Sequence, residues 1–259
     1  MPDLKAVLLN CTLKASPAPS NTQALMDHVI EHLASLDVEC ETIRVVDYNV
    51  RFGVSNDEGD GDEWPQLREK ILAANILIIG TSIWFGVRSS VCQMVIERLD
   101  GTYNNTNEVG QYPLYNTVGG VVVTGNEDGA HDAAANTLFN LSHLGCTIPP
   151  NADTYWLGEA GPGPSFIEAD GWSSPYTRKT CQWMSHNVVH LARMLRDRPI
   201  PPEGNTVPMA MMEEMEMEPH REKRMLPAMM EEESEGVRMQ GGPIHRLLRR
   251  RTKARRSGR

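Results

Sequence analysis

Three short apolar runs constrain this chain most: Val7-Leu8-Leu9, Ile76-Leu77-Ile78-Ile79 and Val121-Val122-Val123. Each ends abruptly at a small or polar residue, respectively Asn10, Gly80 and Thr124. Each is followed by a loop and then by apolar residues at helical spacing, as in Leu25, Val29, Leu33 and Leu36. Unbroken apolar runs of this length mark strands buried on both faces rather than strands with one wet side. Strands that alternate with amphipathic helices pair in parallel, joined by right-handed crossovers.

The full alternation predicts strands at residues 5–10, 38–46, 76–80, 119–124 and 147–156, with helices at 22–36, 64–74, 129–144 and 175–195. A further helix after the third strand carries Val91, Val95, Ile96 and Leu99. The expected fold is α/β: a flavodoxin-like doubly wound, five-stranded parallel sheet in the order 2-1-3-4-5, with helices on both faces. Ligands of such sheets bind outside the carboxyl ends of the strands, at the switch point between strands one and three. The loops after strands one, three and four are therefore expected to form one site.

The first of these loops runs Cys11-Thr12-Leu13-Lys14-Ala15-Ser16-Pro17-Ala18-Pro19-Ser20-Asn21-Thr22. Its hydroxyls, amide and lysine, with the N–H groups of the following helix, suit a phosphate. It has neither the G-x-G-x-x-G of a dinucleotide site nor the G-x-x-x-x-G-K-[ST] of a nucleoside triphosphate site. A terminal phosphomonoester fits better, and FMN is the commonest such cofactor on a doubly wound sheet. The alternative is an ordinary polar turn between a strand and a helix.

The second loop, Thr81-Ser82-Ile83-Trp84-Phe85-Gly86-Val87-Arg88-Ser89-Ser90, has an apolar aromatic centre between small polar residues. A flat isoalloxazine ring needs that mixture of packing surface and backbone polar groups. The third, Thr124-Gly125-Asn126-Glu127-Asp128-Gly129-Ala130-His131, brackets polar residues with glycines before a helix. Its amides and the Asn126 side chain suit the ring's other edge. His131, in the first helical turn, is expected either to hydrogen-bond a reduced flavin or a quinone oxygen or to be a solvated helix-start histidine. The Gly/Pro-rich segment from Tyr155 to Pro164, with Phe166 and Trp172, is expected either to line the acceptor side or to be a surface loop pinned by aromatics.

Composition narrows the alternatives. Residues 1–202 hold 13 Lys and Arg against 24 Asp and Glu, a net charge of −11, which disfavours nucleic-acid binding by this part. The five cysteines are scattered without a C-x-x-C pair, which argues against a metal site, an iron–sulfur cluster or a disulfide framework. Cys11 lies in the first loop and is a candidate reactive thiol. No apolar run has membrane-spanning length, and a cytoplasmic protein is the expectation. Residues 203–259 hold nine of the 14 methionines, acidic runs and a basic end; they read as a disordered tail separate from the 1–202 domain. The functional alternative is a basic end that touches an anionic partner.

The segments from Val7 to Thr22, from Ile78 to Gly101, and from Gly119 to Cys146 together resemble the NADPH-dependent FMN reductase family of flavodoxin-like proteins, including WrbA-type quinone reductases. The pattern of strand, small-polar turn, aromatic-x-Gly, Ser and a helix ending in Arg98-Leu99-Asp100 carries this best. The resemblance implies that Thr12, Lys14, Ser20, Asn21 and Thr22 serve the phosphate. It assigns Ser82, Ile83, Trp84, Phe85 and Gly86 to the ring, with Thr124, Gly125, Asn126, Gly129 and His131 in the third loop. It implies FMN as cofactor, NADPH or NADH as reductant, a quinone, flavin or similar small molecule as acceptor, and a homodimer or homotetramer. An FMN-binding electron carrier and a flavin-free binding protein are the alternatives. The inserted Ala15-Ser16-Pro17-Ala18-Pro19 and the charged tail depart from the family pattern.

Overall fold

A computed structural model describes residues 4–208. The part of the expected tail beyond residue 208 lies outside the described residues. Strands β1 (Leu4–Asn10), β2 (Val38–Arg44), β3 (Ile76–Trp84), β5 (Val118–Gly125) and β6 (Asp153–Leu157) pair in parallel in the order β2-β1-β3-β5-β6. This is the expected flavodoxin-like order with one addition. A two-residue strand, β4 (Val87–Arg88), folds back antiparallel on the end of β3.

Successive side chains of a strand point to opposite faces, and the sheet's two cores divide accordingly. Val7, Leu9, Leu77, Ile79, Val121 and Val123 face α2 (Trp64–Leu72), α3 (Ser90–Asp100) and α4 (Ala130–His143) through Trp64, Leu67, Val95, Leu99 and Leu141. Leu4, Ala6, Leu8, Ile76, Ile78, Val118 and Val122 face α1 (Asn21–Ser35) and α5 (Pro175–Asp197) through Leu25, Met26, Val29, Leu33, Met184 and Val188. The apolar runs are unbroken because both faces of the sheet are covered.

Three helices begin at serine caps. The hydroxyls of Ser20, Ser89 and Ser174 accept hydrogen bonds from the amides of Gln23, Cys92 and Thr177, satisfying N–H groups that the first helical turn leaves free. β2 ends at Arg44 and passes into a short 3-10 turn at Val45–Asp47, earlier than the strand expected to residue 46. The last strand also starts later than expected: Thr147 makes only an isolated bridge to Val118, and regular pairing begins at Asp153.

Candidate functional site

The carboxyl ends of β1, β3 and β5 open onto a cleft of about 520 Å3, within the range of roughly 300–1,000 Å3 typical of small-molecule sites. At one end it is lined by Thr12, Lys14, Asn21 and Thr22, and along its walls by Ile83, Trp84, Phe85, Trp156 and Phe166. Ser82, Thr124, Gly125, Asn126 and Glu127 complete the middle. The first and third expected loops meet directly, since the buried hydroxyls of Thr22 and Thr124 lie 2.9 Å apart.

The first loop is organised by Asn10, which the sequence reading passed over. This buried side chain accepts from the Thr12 amide at 3.1 Å and donates to Gln23 Oε1 at 2.9 Å and to Ser20 at 3.3 Å. It ties both ends of the loop to the start of α1. Ser20 is thereby a buried cap, and it is not among the residues lining the cleft. The inserted residues turn the other way. Ser16 donates through its amide and its hydroxyl to Asp47, at 2.8 and 2.6 Å, and Arg44 donates to the Ala18 carbonyl at 2.8 Å. The two Ser16 hydrogen bonds lower the pKa of the exposed Asp47 carboxyl. The hydroxyl of Ser16 is thus spent on the β2 side. Cys11 is fully buried, and burial pushes its thiol well above the ordinary range, which removes it as a reactive thiol.

The second loop is more regular than expected. Thr81 to Trp84 continue β3, and the chain reverses at Phe85 (φ 50°) and Gly86 (φ 81°) before pairing as β4. Positive φ at both central residues is the geometry whose twist matches a two-residue hairpin. Phe85, at the tip, is 96% exposed. The turn is clamped by Glu127, whose two carboxylate oxygens accept from the amides of Phe85 and Gly86 at 3.1 and 3.2 Å. Gly129 (φ 124°) rests against the turn so closely that a Cβ there would lie 2.2 Å from the Gly86 carbonyl oxygen. Only glycine allows both that conformation and that approach. The clamp by Glu127 left no signal in the sequence, where an acidic residue in a polar loop is indistinguishable from a solvated one.

Two expected contacts are engaged elsewhere. The Asn126 side chain donates to the Pro164 carbonyl at 2.7 Å. His131 is exposed and lies outside the cleft lining, its Nε2 3.1 Å from the Tyr155 hydroxyl. Tyr155 also bonds Tyr176, and that bond, with partial burial, pushes its phenol up to about 12. In the Gly/Pro-rich segment Trp156 and Phe166 meet edge to face at 5.6 Å and wall the cleft, while Trp172 stacks on His28 beyond it.

The residues present fit a flavin mononucleotide. Hydroxyls, an amide and a lysine surround the start of α1, and four aromatic rings flank the rest. Comparison with known proteins agrees in kind. The model of the NADPH-dependent FMN reductase family matches residues 4–159. The chain is 41% identical over 205 residues to 8-demethyl-8-aminoriboflavin-5'-phosphate synthase of Streptomyces davaonensis, covering 76% of this chain and 80% of that protein. It is 42% identical over 199 residues to a Mycobacterium bovis protein named divalent metal cation transporter MntH, covering 74% of this chain but 29% of that protein. Among the described residues of this chain no helix is long and apolar enough to cross a membrane. The crystal structure of RosB with bound 8-demethyl-8-formylriboflavin-5'-phosphate aligns with a TM-score of 0.72 at 41% identity, over 76% of this chain and 82% of that one. A flavone reductase structure, at 13% identity and a TM-score of 0.51, over 74% of this chain and 64% of that one, shares the fold.

Proposed function

The chain belongs to the NADPH-dependent FMN reductase family, and from that premise we propose that it passes a hydride from NAD(P)H through FMN to a quinone, a flavin or a similar small acceptor. The observation that carries this reading is the cleft itself, polar and cationic at the α1 end and aromatic along its walls. Bound FMN supplies the redox chemistry. The protein's part is to bind and orient. Thr12, Lys14, Asn21, Thr22 and the first amides of α1 hold the phosphate, with the positive end of the helix directed at it. Ile83, Trp84, Phe85, Trp156 and Phe166 exclude water from the ring. Gly86 and Gly129 serve by keeping the hairpin turn against the third loop, and Ser20 by capping α1 beneath the phosphate end. His131, in this reading, serves by holding the Tyr155–Tyr176 pair through its hydrogen bond to Tyr155 rather than as a direct ring contact.

The test is a spectrum followed by an assay. Purified protein titrated with FMN is expected to bind it, with a change in the flavin's visible absorption, and the loaded protein to oxidise NADPH or NADH in the presence of menadione. Tight FMN binding without turnover would instead identify an electron carrier.

The 41% identity to a flavin-modifying synthase supports a second reading, in which FMN is a substrate altered at its ring. Mass spectrometry of the flavin recovered after incubation separates the two: an unchanged mass after many turnovers favours the reductase.

A further inference from the structure

Residues 158–170 close one side of the cleft and contribute Gly161, Ser165 and Phe166 to its lining. Its C-terminal half is anchored by Phe166, buried against Trp156, with Ala169 packed on the same core; the remainder is tied chiefly by two asparagines reaching from the opposite loops. The Asn126 Nδ2 donates to the carbonyls of Pro164 at 2.7 Å and Gly163 at 3.5 Å, while the Asn126 backbone carbonyl accepts from the Gly161 amide at 3.1 Å. Gly158 makes room for this, because a Cβ there would sit 2.5 Å from the Asn126 Nδ2. Asn21, at the start of α1, accepts from the Ile167 amide at 3.0 Å. The segment begins where Gly158 bonds the Gly125 carbonyl and is followed by Trp172, stacked on His28 at 3.6 Å.

We propose that Asn126 and Asn21 are positioning residues that latch residues 158–170 as a releasable strap over the cleft, and that Phe166 on this strap is the specificity-determining wall against the ligand's ring. The identity of that ligand as FMN rests on the function proposed above; the latch itself does not. The physical case is one of unequal bonding. The strap contains Gly158, Gly161, Pro162, Gly163 and Pro164 and forms no helix or strand. Apart from the apolar anchor at Phe166 and Ala169, its ties are neutral hydrogen bonds at or near the surface, each of modest net worth against competing water. Segments held in this way open well below the free energy of global unfolding. Opening frees Phe166 from the cleft wall, and closing brings it back against Trp156, so the latch governs how quickly a large flat ligand leaves.

Hydrogen exchange and flavin release test this together. In ligand-free Asn126→Ala protein, amides in residues 158–170 are expected to exchange about tenfold faster, the equivalent of one or two lost hydrogen bonds. FMN is expected to dissociate faster by a similar factor, with kcat at saturating acceptor changed less. Phe166→Leu, which keeps an apolar side chain but removes the ring packed on Trp156, is expected to weaken FMN binding and, because Phe166 also anchors the segment, to speed strap exchange with it. Ile167→Pro removes the strap-side donor and repeats the experiment without touching the third loop, should Asn126→Ala fold poorly. Unchanged exchange across 158–170 overturns the latch. Faster exchange with unchanged FMN dissociation overturns its role at the cleft. Wild-type protein that takes up no FMN, with faster strap exchange in the variant, leaves the latch standing and removes the proposed function.

Discussion

Two loop regions of this molecule are held closed by different physics. The loop between β2 and α2 is fastened by a buried ion pair: Arg98 donates to Asp62 at 2.7 Å, and both side chains are 0% exposed. The same guanidinium donates to the Arg51 carbonyl at 2.8 Å and lies 5.6 Å from the Trp64 ring. The region around the cleft is instead fastened by backbone contacts, one partly exposed carboxylate and neutral amides. A buried charge left alone is costly, so the first region opens only with the fold. The second can yield locally. The difference puts rigidity beneath the α2 and α3 face and adjustability where a ligand enters.

The sharpest way to break this contrast is to remove the buried cation. Arg98→Met leaves Asp62 without its charged partner, and chemical denaturation is expected to record a loss of about 3–5 kcal/mol. Acid should act at the same place. Burial raises the pKa of the Asp62 carboxyl, but the Glu58 amide, the Arg98 guanidinium and the amides of Arg51 and Trp64 outweigh it and hold the value at about 2. A depressed carboxyl contributes stability above its unfolded value near ~3.9 and loses it as pH falls through the folded value. The Asp62 share, on the order of 2 kcal/mol, therefore disappears between about pH 4 and pH 2. Asp62→Asn should flatten the stability profile in that window. If Arg98→Met cost no more than an exposed substitution, the two regions would be alike.

The parts of this structure that were legible in the sequence are those governed by burial. Val7 to Leu9, Ile76 to Ile79 and Val121 to Val123 lie where their continuous apolarity puts them, and the sheet order follows from their alternation with helices. The gathering of three loops at one cleft follows in turn from that order. Individual polar partners were less legible. An asparagine reads alike whether it grips a ligand, organises a loop as Asn10 does, or reaches a distant strap as Asn126 does. The hairpin tip was hidden for a different reason. A bulky residue at positive φ is disfavoured, so Phe85 gives no hint of the turn that its neighbours impose. Arg98 belonged to the segment that carries the family resemblance, yet its part is structural, beneath a loop that does not line the cleft.

A second prediction tests whether the cleft region has any rigid point. Gly129→Ala places a Cβ 2.2 Å from the Gly86 carbonyl oxygen at a backbone φ of 124°. The clash is with backbone, which cannot rotate aside. A loss of roughly 2–4 kcal/mol is expected from strain and overpacking combined, with FMN binding weakened because the turn carrying Phe85 must shift. A melting temperature near that of the wild type, with binding intact, would show that the third loop absorbs the displacement and that the whole cleft rim is soft.

The smallest expected effect sharpens the contrast most, because it sets one carboxylate against another. Glu127, like Asp62, accepts from two or more backbone amides, but it does so at the cleft rim with water at hand. Glu127→Ala exposes the amides of Phe85 and Gly86 to solvent rather than stranding them in a core, so about 1 kcal/mol of stability should be lost. Glu127→Gln retains one acceptor oxygen and should lose less. Because the bonds close a turn and not a core, the change should be local. Amide exchange at Phe85 and Gly86 should accelerate while exchange in β1 and β5 keeps its wild-type rate. Were Glu127→Ala to destabilise the protein as much as Arg98→Met, the rim would be fastened as firmly as the buried side, and ligand entry would require the fold itself to open.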